Sequence, residues 1–152
     1  MPKNQCLGVF MAVIPLITVS SNEQGAKGQG IEGYVYRISG NQMPSPDIKP
    51  SPLKGVRTTL YVYGLTNLSQ VIKHDQGPFY ESVQTKLIRK VETDSTGYFN
   101  VQLPVGRYSL FAKKGTLFFA NWFDGNNNIA PVEVVAKKIT KVVFKIDYDA
   151  AY

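Results

Sequence analysis

Between residues 98 and 103 the chain alternates strictly: Phe99, Val101 and Leu103 face Tyr98, Asn100 and Gln102 in a period of two. The same period sets Val142, Phe144, Ile146 and Tyr148 against Lys141, Lys145 and Asp147. Period-two patterning is that of a strand with one dry and one wet face. Tyr108, Leu110 and Ala112 alternate with Ser109 and Lys113, but Phe111 breaks the polar set. Extending this reading along the chain predicts strands at 31–38, 56–63, 83–93, 98–103, 107–113, 117–123, 132–135 and 139–148. They recur about every ten residues, separated by Gly, Pro, Asn and Asp, and no helical period is sustained. That spacing predicts an all-β sandwich. The segment 64–80 receives no firm assignment. Residues 43–52 hold Pro44, Pro46, Pro50 and Pro52, which fix φ and remove backbone donors, so a loop without ladder pairing is expected there.

The N-terminus follows a different pattern. Lys3 precedes an almost uncharged apolar run at 7–19, and Val19 and Ser21 stand at the −3 and −1 positions of a cut before Asn22. Residues 1–21 therefore read as a signal peptide, the apolar run at 7–19 being too short to span a bilayer, which takes about 20 apolar residues. Residues 22–30, with no apolar anchor, read as a flexible lead-in, and 31–149 as a single domain. The chain's one cysteine, Cys6, lies before the apolar run, so the exported part would hold no thiol nucleophile and no disulfide.

Two connections carry specific turn chemistry. In Asp94-Ser95-Thr96-Gly97 the aspartate can accept backbone hydrogen bonds and the glycine tolerates positive φ; in Leu103-Pro104-Val105-Gly106 the proline presets φ and the glycine again comes fourth. Both predict tight hairpins with left-handed glycines, joining three consecutive strands in a meander. From Thr93 to Phe99, and from Leu103 to Leu110, the sequence resembles the core of carboxypeptidase regulatory-like domains, and Ile31-Glu32-Gly33-Tyr34-Val35 is similar to their first strand. The resemblance implies a seven- to eight-stranded antiparallel Greek-key β-sandwich of the transthyretin-like kind. Its matching residues are turn formers and core positions, so it implies an accessory module of the envelope and names no chemistry.

Charge and titratable groups add little. The net charge of +6 comes from scattered lysines such as Lys113-Lys114 and Lys137-Lys138, with no basic stripe, so no nucleic-acid partner is expected. The only histidine, His74, sits beside Asp75 in a Gly/Pro-bounded stretch with no nucleophile or oxyanion site in view. One histidine is also too few for the hydroxyisourate hydrolases and ring-cleaving dioxygenases of related fold. We expect no enzyme activity, cofactor or metal. Asn67-Leu68-Ser69 is a glycosylation sequon whose meaning depends on the host. Most of the nine tyrosines read as core residues, and they are not read as a ligand-stacking platform.

The segment singled out for recognition is Trp122, Phe123, Asp124, Asn126, Asn127 and Asn128. Asp124-Gly125 is a hairpin dipeptide, but three further asparagines beside aromatics supply directional donors and acceptors with a stacking face. Asp124, Asn126 and Asn128 alternate oxygens as a calcium loop does, yet one carboxylate is too little charge for that ion. The sequence thus predicts an exported binding module contacting envelope protein or glycan. The alternative is a structural subunit that oligomerises through its sheets.

Overall fold

The computed structural model describes residues 27–47, 49 and 51–152. The expected signal peptide, 1–21, and most of the lead-in lie outside these residues. Where the lead-in becomes described it is anchored: Gln29 is buried, its side-chain amide donates to the Leu103 carbonyl (2.9 Å) and its oxygen accepts from the Lys137 N–H (3.2 Å). A polar side chain does there what no apolar residue was available to do.

Eleven strands form among the described residues: β1 (Gly30–Asn41), β2 (Lys54–Gly55), β3 (Thr59–Gly64), β4 (Val71–His74), β5 (Phe79–Val83), β6 (Leu87–Glu92), β7 (Tyr98–Gln102), β8 (Gly106–Lys114), β9 (Leu117–Phe119), β10 (Pro131–Val134) and β11 (Ile139–Ala151). The unassigned segment 64–80 holds a single 3₁₀ turn, Leu68–Gln70, then β4 and the start of β5. Asn67 caps that turn, accepting from the Ser69 N–H while Gln70 reaches back to the Asn67 N–H. The described residues of 43–52 contribute no strand, only a single bridge residue at Ser45.

The strands make two sheets. The smaller has four strands, with β1 at its centre: β11 runs along one edge of β1, and β7 and then β2 share the other. The larger has seven, in the order β4-β5-β9-β8-β3-β6 with β10 also on β8. One core joins them: Ile31, Val35, Phe99 and Phe144 from the four-stranded sheet meet Leu60, Val62 and Leu110 from the seven-stranded one, all at most 1% exposed. Each such burial contributes about 1.5–3 kcal/mol. No buried side-chain nitrogen or oxygen lacks a partner among the described residues. The Thr93 hydroxyl, for example, donates to the Val56 carbonyl (2.7 Å) and accepts from the Thr58 N–H (2.7 Å).

Three expectations need correction. The strand number exceeds seven or eight because residues 64–83 fold into a further hairpin, β4–β5, and because β2 is a separate short strand. The sheets are not wholly antiparallel, since β1 and β11 pair in parallel from Gly30↔Ile139 onward. There is also no meander of β6, β7 and β8. β6 pairs with β3 and β8 lies in the same sheet, but β7 pairs with β1 in the other. The chain therefore crosses between sheets at both predicted turns. Turn chemistry is local and fixes a reversal, not the partner of the strand that leaves it. Burial decides the partner. β8 is dry from Tyr108 to Ala112 on both faces and belongs mid-sheet, whereas β7 keeps Asn100 and Gln102 exposed.

Candidate functional site

The outer face of the four-stranded sheet follows from residue parity. On β1, Ile31 and Val35 point into the core, so Glu32, Tyr34 and Tyr36 point out. On β7, Phe99 is buried and Tyr98 and Asn100 point out; on β11, Phe144 and Ile146 are buried and Lys141, Val143 and Lys145 point out. The register aligns these into rows across the strands. Lys141, Glu32 and Asn100 form one row, Val143, Tyr34 and Tyr98 the next, and Lys145 and Tyr36 a third. Two apolar members of the middle row stay open to solvent, Tyr34 at 41% exposure and Val143 at 55%.

The three rings are ordered. Tyr34 and Tyr36 lie nearly parallel, with centroids 5.8 Å apart and planes 10° apart, and Tyr98 meets Tyr34 at 5.5 Å and 60°. Glu32 holds the row beside them: its carboxylate accepts from the Tyr98 hydroxyl (3.2 Å) and the Asn100 amide (3.4 Å). A hollow of about 320 Å³ opens between Tyr34, Tyr98, Glu32, Lys141 and Val143. A larger one of about 730 Å³ lies further along β11, between Trp122, Asn121, Val143, Lys145, Asp147 and Tyr152. There Asp147 accepts from the Asn121 amide (2.6 Å) and the Tyr152 hydroxyl (3.0 Å). Exposed rings flanked by fixed amide, hydroxyl and carboxylate groups can stack against an apolar ligand face and hydrogen-bond its polar edge.

The predicted recognition segment reaches this face through Trp122, and its polar groups are largely engaged in folding. Asp124 Oδ1 accepts from the N–H groups of Asn126 (2.8 Å) and Asn128 (3.0 Å), and Oδ2 from the Asn128 amide (2.8 Å) and Arg107 (3.3 Å). These donors, the Asn128 amide first, hold the Asp124 carboxyl below its ordinary pKa. The turn at Asp94 is built alike, its Oδ1 accepting from the Thr96 N–H (2.8 Å) and the Tyr98 N–H (3.0 Å). In that correspondence Asn127, at φ 62°, stands where Gly97 stands at φ 84°. The asparagine run is thus a second copy of the same device. It is also tied to the 3₁₀ turn, since the Asn67 amide donates to the Asn126 carbonyl (2.8 Å) and the Leu68 N–H to the Asn127 carbonyl (3.0 Å). Phe123 is 43% exposed, and Trp122 packs on Phe144 at 5.0 Å while lining the larger hollow. Of the predicted segment, Trp122 is therefore the residue that the structure brings to the concave surface.

The remaining predicted residues sit apart from it. Gly97 has the positive φ expected, and it has a further reason to be glycine. A Cβ there would stand 2.2 Å from the Val35 carbonyl oxygen and 3.1 Å from Gly55 Cα, because the turn is wedged between β1 and β2. Gly106 has the positive φ expected too, at 158°, although it is far from the tight left-handed value of Gly97. The Pro104 carbonyl accepts from the Tyr108 hydroxyl (2.7 Å) across that corner. His74 ends β4 with its ring nitrogen 3.0 Å from Glu81, a partner that raises its pKa. It is remote in sequence and sheet from the tyrosine face.

Tyr34, Tyr36 and Tyr98 are the residues that sequence reasoning missed. The signal was present in Tyr34-Val35-Tyr36, where two large aromatics occupy the phase opposite to the buried Ile31 and Val35. What was absent was the pairing that sets Tyr98 alongside. No family model matches the chain, and no curated protein is significantly similar to it. Among solved structures, a provisionally assigned carbohydrate binding protein from Pseudomonas aeruginosa aligns with a TM-score of 0.45 and 16% identity, over 84% of this chain and 92% of that one.

Proposed function

We propose that this chain is an exported, non-enzymatic binding module of a bacterial cell envelope, and that its ligand is glycan held on the outer face of the four-stranded sheet. The observation that carries the reading is the Tyr34–Tyr36–Tyr98 group with the Glu32 and Asn100 side chains fixed beside it. Sugars present apolar ring faces and polar rims, which is what such a surface complements. Export rests on the apolar run at 7–19 and the Val19/Ser21 pair. The Greek-key, transthyretin-like character rests on the resemblance at 93–110 to carboxypeptidase regulatory-like domains, whose members are accessory modules. Among the described residues no helix is long and apolar enough to cross a membrane.

The test is binding of the purified protein to a panel of soluble polysaccharides and peptidoglycan fragments, with Tyr34→Ala and Tyr98→Ala beside wild type. Saturable binding that each variant weakens at least about tenfold, about 1.4 kcal/mol, at unchanged melting temperature supports the reading. Equal binding by all three proteins removes this face as the site. A second reading, assembly through the sheets, draws on the same exposed Tyr34 and Val143. A concentration-dependent oligomer that Val143→Glu dissolves would favour it.

A further inference from the structure

The two hollows on the four-stranded sheet share a wall. Val143 closes the far side of the hollow at Tyr34 and Tyr98 and opens the near side of the one at Trp122. Both run along β11, from Lys141 to Asp147, a span of about 20 Å at roughly 3.3 Å per residue. We infer that they form one elongated cleft that binds the interior of a linear polysaccharide chain, with a near station at Tyr34 and a far station at Trp122. This rests on the glycan reading and extends it from a face to a ligand shape.

Three features support a linear chain over a single sugar. The aromatic groups line different hollows, Tyr34 and Tyr98 the one and Trp122 the other, with Val143 common to both. Polar groups accompany each station. The Tyr98 hydroxyl is fixed by Glu32 at the near one, and the Asn121 amide and Tyr152 hydroxyl are fixed by Asp147 at the far one. Among the described residues Lys145, projecting between Val143 and Asp147, pairs with no acidic group and is available to ligand oxygens. Between the stations lies Val143, 55% exposed, over which the apolar face of a middle sugar can pass. A chain engaging both stations gains from the second contact without a second association step, so affinity must climb with length until both are filled.

Calorimetric titration with ladders of cellulose, chitin and polygalacturonate oligomers, dimer to hexamer, tests this. For the ladder that binds, affinity should rise at least about tenfold from the short to the long end, about 1.4 kcal/mol. Trp122→Ala and Lys145→Ala should each flatten that rise, and Tyr34→Ala should weaken every length. Trp122 also packs on Phe144, so loss of folding in that variant leaves the exposed Lys145→Ala to decide. Tyr34-dependent binding that is flat with length, or a rise that survives Lys145→Ala, overturns the cleft and leaves the glycan face standing. If no ladder binds, both fall.

Discussion

The two sheets both carry aromatics on their outward faces, and they use them in opposite ways. On the seven-stranded sheet Tyr61 and Tyr63 alternate with the buried Leu60 and Val62, and Phe111 follows Leu110. These outward rings close on one another: Tyr63 meets Phe111 at 5.6 Å and Phe118 at 5.7 Å, edge to face, and Tyr80 meets Phe111 at 5.9 Å. Phe111 and Tyr80 are wholly buried as a result, and burial pushes the Tyr80 hydroxyl up to about 12. Lysines cover what remains, Lys90 and Lys113 over Tyr61 at 5.2 and 5.4 Å, and Lys113 over Phe118 at 4.9 Å. On the four-stranded sheet no second layer forms over Tyr34 among the described residues, and Val143 beside it is 55% exposed. The same residue types are packing on one sheet and an unoccupied surface on the other. The difference lies in what covers them, not in their alternation.

Truncation should separate the two faces most sharply. Phe111→Ala removes a ring at 0% exposure and should destabilise by about 3–5 kcal/mol in chemical denaturation. Tyr34→Ala removes a ring at 41% exposure and should cost below about 1 kcal/mol. Comparable losses at both positions would show that the tyrosine face is structural. Gly97→Val comes next. It forces a side chain into left-handed backbone and against the Val35 carbonyl, where β1, β2 and the turn meet, and should cost about 1–3 kcal/mol or more. Gly106→Val, also at positive φ but with the Tyr108 hydroxyl as the nearest contact of its Cβ at 3.4 Å and no backbone clash, should cost less, measured by the same midpoint shift.

This ranking also marks how far the sequence could be read. Strand positions and buried faces were legible because period two is a local signal, and Phe99, Leu103, Phe144 and Ile146 are buried as their alternation required. The turn at Asp94 was legible because an aspartate followed three residues later by glycine has few other uses. Partnership was not legible. The crossing of β7 to the other sheet and the parallel β1–β11 pair are long-range choices that no short window contains. The candidate site was hidden for the same reason, since it needs β1, β7 and β11 side by side. The asparagine run was overvalued because a second Asp-anchored turn, with Asn127 in the place of Gly97, is hard to tell from a polar recognition loop.

Smaller effects should split by pH, in opposite directions on the two sheets. Asp94 is held below its ordinary carboxylate pKa, by the Thr96 hydroxyl first and then by backbone N–H groups that include Tyr98's. Its contribution is present above that ordinary value and is lost as pH falls through the lowered folded one. Acid should therefore loosen the corner that positions Tyr98, and Asp94→Asn should reduce the acid dependence of the unfolding midpoint. His74, on the edge of the seven-stranded sheet, is raised by its hydrogen bond to Glu81. Its contribution is full below the ordinary histidine value and fades as pH rises through the raised one. Amide protection in β4 and β5, exchange relative to its intrinsic rate at each pH, should fall across that window, and Glu81→Gln should abolish the fall.

The most direct measurement of the central claim is a backbone amide NMR titration with whichever glycan binds. The account predicts that shifts and broadening gather on the outward residues of three strands, Glu32, Tyr34 and Tyr36 on β1, Tyr98 and Asn100 on β7, and Val143 and Lys145 on β11. Residues around Tyr61 and Lys113 on the seven-stranded sheet should stay unmoved. Perturbations confined to Asp124–Asn128, or centred on the Tyr61 face while Tyr34 and Tyr98 do not shift, would contradict it.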